Sequence, residues 1–362
     1  MSIKNDDIRA AVAAGMINEA QAADIARLAE ERQGYREARA EIDEPFELFK
    51  GFNEIFIVVG LCVLYAGWAA LTGIGTLNSW GDASESGHLN AALLAFGLIQ
   101  IIGIAFMTQY FTIKRRMIAP SILLSILTGI GAVQVGMAIG GLIGISETPR
   151  VALASVVTAL VLLIYWYRFR IPFSLMITGL AIFVFAISLA VQGGSDIVSP
   201  ADLFLLSTNW TLSLITIALG IGVFIVAMRF DMSDPHRVTR RAANGFWLHV
   251  LAAPAIVNSI ALTLFDSGSF VAQLLLIAFL VAIAAVAIVI DRRSFLISGI
   301  GYMIALVFTV LDGGAAFVIL LIGLGLVLLG ANWEKLRCWM LYALPDFKGK
   351  DRLPPWQIDG VE

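Results

Sequence analysis

Charge is what this sequence has least of. Only 14% of its 362 residues are Asp, Glu, Lys or Arg, while 59% are hydrophobic and the mean hydropathy is +0.88. Soluble domains carry roughly 25% charged residues, so a soluble fold is excluded and an integral membrane protein is implied. Cysteine is scarce: Cys62 lies in an apolar run and Cys338 in a polar tail, a placement that builds no disulfide framework. The three histidines, His88, His236 and His249, fall on an outer loop, an inner loop and a helix, so no metal site is expected. No basic-then-apolar leader opens the chain, and no cleavable signal peptide is expected. The strings GIG and GLG sit inside apolar runs without the strand–turn–helix setting of a phosphate loop. No Ser–His or Ser–Lys pair shares a helical face at depth. These absences lead to the expectation of a protein that is not an enzyme and has no cofactor. The most informative gap is that no Asp, Glu, Lys or Arg stands in the middle of any apolar run. Ion-coupled pumps usually place carboxylates near the midplane. The gap argues against a proton- or sodium-driven antiporter, leaving carbonyls and hydroxyls as the remaining ion ligands.

What the chain does have is long apolar runs. A spanning helix needs about 20 apolar residues to cross ~30 Å of hydrocarbon. Ten runs meet or approach that length: 55–75, 91–112, 118–142, 151–167, 171–191, 210–230, 246–265, 271–290, 295–311 and 315–331. The last two are separated by Asp312, Gly313 and Gly314, read as a tight hairpin turn in which glycine supplies positive φ. The expected fold class is therefore all-α, a polytopic transmembrane bundle of about ten spans.

Basic residues alternate between the loops. Lys114, Arg115, Arg116; Arg168, Arg170; Arg229, Arg237, Arg240, Arg241; and Arg292, Arg293 occupy one set, and Arg150 alone stands in the other. The second set holds Asp82, Glu85, Asp196, Asp202, Asp266 and Asp312. Positive charge stays inside, which places both termini of a ten-span chain in the cytosol. Orientation accounts for the arginines, and no nucleic-acid partner is expected.

Three regions follow. Residues 1–50 read as a cytosolic helical hairpin and juxtamembrane segment, its second helix opening at Asn18 with Gln21 as capping-box partner. Ala22, Ile25 and Leu28 form a thin apolar stripe there, suited either to docking a protein partner or to a solvated arm. Residues 51–331 form the bundle, and 332–362 a cytosolic C-terminal tail. An internal repeat is a further reading: the stretches from Arg170 and Arg292 share R-x-x-F-x5-G-x-x-I and align Gly179 with Gly301. Chance alignment of apolar helices is the competing explanation.

The stretch DEPFELFKGFNEIFIVVG (43–60) and the stretch FWLHVLAAP (246–254) carry a resemblance to a group of uncharacterised bacterial membrane proteins. That group looks like a short helical cytosolic domain joined to a many-helix bundle. The resemblance implies architecture and a bacterial setting, and no catalytic residue.

Candidate site residues come from polar positions inside the spans. Pro254 denies the carbonyl of Val250 its usual partner and is expected to kink the seventh helix. Asn258 lies on the Pro254 face, about 18 Å deep if the helix starts at Phe246. Val250, Pro254 and Asn258 either line a polar cavity or make an ordinary helix contact. His249, one turn inside the boundary, is expected at headgroup level, where it shares a depth with Glu54. Asp231, Asp234, Arg240 and Arg241 crowd the same surface; a charge-sensing cluster of Glu54, His249, Arg240 and Arg241 is one reading, and an interfacial set fixing helix ends is the other. Ala132, Gly136, Gly140 and Gly144 recur every four residues, a stripe that lets helices approach closely within the chain or in a homo-oligomer. Gln100 and Gln134 are lone amides read as structural. Two function classes result: a permease or lipid-handling protein with a polar path at the seventh helix, or a non-transporting scaffold or sensor that binds a partner through its hairpin.

Overall fold

The computed structural model describes residues 52–78, 86–195, 200–235, 240–296, 315–347 and 349–354, with a few isolated positions besides. The N-terminal hairpin, the ninth apolar run, Gly301 and the 312–314 turn lie outside the described residues, apart from isolated positions. Ten α-helices are described, and no strand is found among the described residues. They are α1 (Phe52–Asn78), α2 (Ser86–Thr108), α3 (Ala119–Leu142), α4 (Glu147–Phe169), α5 (Pro172–Gln192), α6 (Trp210–Met232), α7 (Arg240–Asp266), α8 (Phe270–Ile290), α9 (Ala315–Ala331) and α10 (Trp333–Ala343). Among the described residues, α1 to α8 are long and apolar enough to cross a membrane. The tenth run is helical as α9, with 17 residues.

Helix ends follow local chemistry. Asn209 caps α6 by accepting from the N–H of Leu212, 3.2 Å, and Ser269 caps α8 by accepting from Ala272 N–H, 3.2 Å. At the arginine-rich end two helices stop on left-handed residues that are not glycine: Arg170 (φ 56°) after α4 and Asp291 (φ 57°) after α8. α2 runs on through a π-helical turn, Gln109–Lys114. The wider turn moves the helix end round before the basic loop, and such turns often sit at functional places.

Neighbours in sequence pack as antiparallel pairs: α2 with α3, α3 with α4, α4 with α5, and α6 with α7; α7 also packs on α5. α3 is the most enclosed span, with 56% of its central window buried, and α1 the least, with 6%. Glycines decide two of the tight contacts. A Cβ at Gly136 would stand 2.5 Å from the Ala154 Cα, and one at Gly220 would stand 2.9 Å from the Ala255 Cβ. In lipid, where the hydrophobic effect gives helices little reason to associate, such close approach is a main source of affinity. The C-terminal segment folds back on the bundle. Trp333 Nε1 donates to Asp291 Oδ1 (2.6 Å), and Arg337 Nη2 donates to the carbonyl of Pro354 (2.6 Å).

Candidate functional site

Among the described residues, the most polar buried place is an ion cluster joining α6, α7 and the loop after α8 at the arginine-rich end. Asp231, in the last turn of α6, accepts from Arg292 Nε at Oδ2 (2.9 Å) and from Arg292 Nη2 at Oδ1 (2.5 Å). His249 Nε2 of α7 stands 2.9 Å from the same Oδ2. Exposure is 5% for Asp231, 0% for His249 and 1% for Arg292. Phe224 and Phe295 wall the imidazole, their ring centroids 5.4 and 5.9 Å from its own. Arg292 Nη2 also reaches the Ala242 carbonyl (3.3 Å), while Nη1 finds no acceptor among the described residues. Gly245 makes the room: a Cβ there would overlap the Asp231 carboxylate. A bidentate guanidinium–carboxylate pair is among the strong hydrogen-bonded pairings. Its burial makes removal of one partner costly, since the other charge is left without compensation.

His249 is fully buried against neighbouring helices, and its ion-pair partner is Asp231, where the sequence suggests Glu54. The helix also starts earlier than hydropathy places it. Arg-Arg-Ala-Ala-Asn (240–244) is polar, yet it is helical, so α7 begins six residues before Phe246. Glu54 has a different task. Buried on α1, its carboxylate accepts from the N–H of Ile118 (3.2 Å) and of Ala119 (3.0 Å), satisfying the first turn of α3 and its positive dipole end. Glu54 thus acts as the helix-end reading has it rather than as a partner of His249, and Arg240 and Arg241 are exposed at the start of α7. The sequence already places Asp231 on the same crowded surface as His249, whereas Arg292 stands in a basic loop and reads as part of the orientation signal. That both helix ends lie on one side of the membrane was the available clue.

The α7 anomalies sit in packed surroundings. Val250, Pro254 and Asn258 are half-buried, while Ala253, Val257 and Ser259 beside them are at 0% exposure. The helix continues through Pro254 to Asp266. Of the α3 stripe, Ala132, Gly136 and Gly140 are buried, and the two glycines meet Ala154 and Arg150 of α4. Gly144 lies past the helix end with φ +72°, serving the turn.

Hydroxyls and amides are distributed elsewhere. Thr108 of α2 and Tyr165 of α4 share a buried hydrogen bond of 2.7 Å, and Thr112 and Ser121 share another of 2.7 Å. Gln134 Nε2 donates to the Leu93 carbonyl (2.9 Å). Gln100 of α2 donates through Nε2 to the Leu127 carbonyl (2.9 Å) and accepts from Trp68 Nε1 (3.2 Å), tying α1 and α3 to itself. This tie sits in the wall of a recess of about 220 Å³ among α1, α2 and α3. Leu61, Leu64, Tyr65, Ile99, Gly103 and Met107 complete most of its lining. Leu64 and Ile99 at its rim are 54% and 53% exposed, so it opens on the lipid-facing side. A second cavity, about 850 Å³, lies beside the C-terminal segment between Pro235, Tyr342, Lys350 and Trp356. Neither cavity touches Pro254 or Asn258.

Comparison with family models, with curated proteins and with solved structures finds no match to this chain.

Proposed function

We propose that this multi-pass membrane protein handles lipid, holding an acyl chain in the recess between α1, α2 and α3. The recess is the observation that carries this. It opens toward hydrocarbon, its lining is mostly apolar, and Trp68 and Gln100 in its wall are already bonded together, with Tyr65 the other polar side chain that lines it. Its volume is about seven times the ~30 Å³ that a water takes in the liquid, room for the distal part of one chain. A polar solute has less to bind there. The reading favours lipid handling over a permease path along α7, because α7 packs against α6 at Gly220 and no cavity described above reaches its Pro254 face.

Gly103 supplies the test. A Cβ there meets nothing within 4 Å, so Gly103→Leu projects into the recess without clashing with backbone. Wild type and Gly103→Leu are purified in mild detergent from the same membranes, and lipid retained per protein is measured by mass spectrometry. Loss of bound lipid with an unchanged melting temperature is expected. Equal lipid in the two proteins would end this reading. The arginine-rich end is proposed to face the cytosol, the orientation that the charge alternation favours.

A further inference from the structure

The helices that line the recess run on to a basic turn at one end, and this suggests which lipid fits. Resting on the lipid-handling reading above, we propose that the recess selects an anionic phospholipid from the leaflet at the arginine-rich end, with its phosphate held by Lys114, Arg115 and Arg116. The apolar face that lines the recess continues toward that end. Leu61 and Ile104 are at its core, and Ile57, Met107 and Phe111 pack against them. Beyond Phe111 the π-helical turn ends at Lys114, and Lys114, Arg115 and Arg116 are all exposed. Arg115 is held in place: its Nε and Nη2 both donate to Tyr110 Oη (3.2 and 3.0 Å), with its guanidinium carbon 5.5 Å from that ring. Gln109 Oε1 accepts from Arg168 Nη2 (3.3 Å), which brings a fourth cation beside the turn. Glu54, beside this turn, is buried and engaged with the N–H groups of Ile118 and Ala119 rather than with the three cations.

Length agrees with the chemistry. At 1.5 Å per residue, Met107 is about 12 Å and Ile99 about 24 Å from Arg115 along the helix. A leaflet's hydrocarbon is about 15 Å thick, half of ~30 Å, so a chain whose phosphate sits at Arg115 ends inside the recess. Charge thus decides the leaflet and the headgroup, and the recess decides where the tail rests.

The experiment uses the full chain reconstituted with an equimolar mixture of phosphatidylglycerol and phosphatidylcholine, followed by delipidation and mass spectrometry of what stays bound. Phosphatidylglycerol is expected to be enriched over phosphatidylcholine by about fivefold or more, the effect of about 1 kcal/mol from a cation near the phosphate. In Lys114→Gln/Arg115→Gln/Arg116→Gln the enrichment is expected to vanish while total lipid bound is little changed. Equal retention of the two lipids by wild type overturns the proposal, and so does full enrichment in the triple variant. Gly103→Leu separates the two claims. If it empties the site of both lipids while wild type shows no headgroup preference, lipid handling stands and the anionic selection falls. If bound lipid is indifferent to Gly103→Leu, lipid handling itself falls.

Discussion

Asp231 illustrates how much a single side chain can carry in this bundle. It gathers a guanidinium from 61 residues on and an imidazole from 18 residues on, and all three groups are out of water. Removing its charge leaves Arg292 buried and uncompensated, a change that typically costs about 3–5 kcal/mol. Asp231→Asn is expected to lower the melting temperature in detergent sharply, and Asp231→Asn combined with Arg292→Met to recover much of the loss. A double variant as unstable as the single one would mean that the pair is not coupled. Glu54 carries a smaller load. Glu54→Gln keeps the shape but removes the charge at the start of α3, so a loss on the order of 1 kcal/mol is expected, read from the same melts.

Among the elements, α3 and α1 stand at opposite extremes of enclosure, and their glycines report it. Gly136 faces the Ala154 backbone, which cannot move aside cheaply, whereas a Cβ at Gly60 of α1 meets nothing within 4 Å. Gly136→Ala is expected to destabilise the protein by about 1–3 kcal/mol through overpacking. Gly60→Ala is expected to be neutral or to stabilise slightly through helix propensity. Similar melts for the two would show that the α3–α4 contact is looser than described. The boundaries of these helices were only partly legible. α3 was read as 118–142 and is Ala119–Leu142, because Pro120 and the basic loop mark its start. α7 was read from Phe246 and starts at Arg240, because hydropathy finds the part of a helix that lies in lipid and is blind to a helical extension made of Arg and Ala. That six-residue difference is about 9 Å along the axis, the stretch in which Ala242 and Gly245 pack beside the Asp231 cluster.

At the scale of the whole molecule, the bundle has one end rich in arginine and one poor in it. A reporter fused after Arg116 is expected to be active on the cytosolic side, and one fused at Glu85 on the opposite side; the reverse pattern would overturn the orientation. The sequence by itself determined that the chain is a membrane protein made of long apolar helices, and which loops share a side. Hydropathy and loop charge act locally, residue by residue, against an external reference, the bilayer. Tertiary structure alone decided that Asp231, His249 and Arg292 meet, that Glu54 serves α3 rather than His249, and that α1, α2 and α3 leave a recess. Those outcomes depend on how helices far apart in the chain are rotated and paired. Packing of small residues and a few buried hydrogen bonds sets that rotation, and neither leaves a periodic mark in a sequence that is apolar on nearly every face.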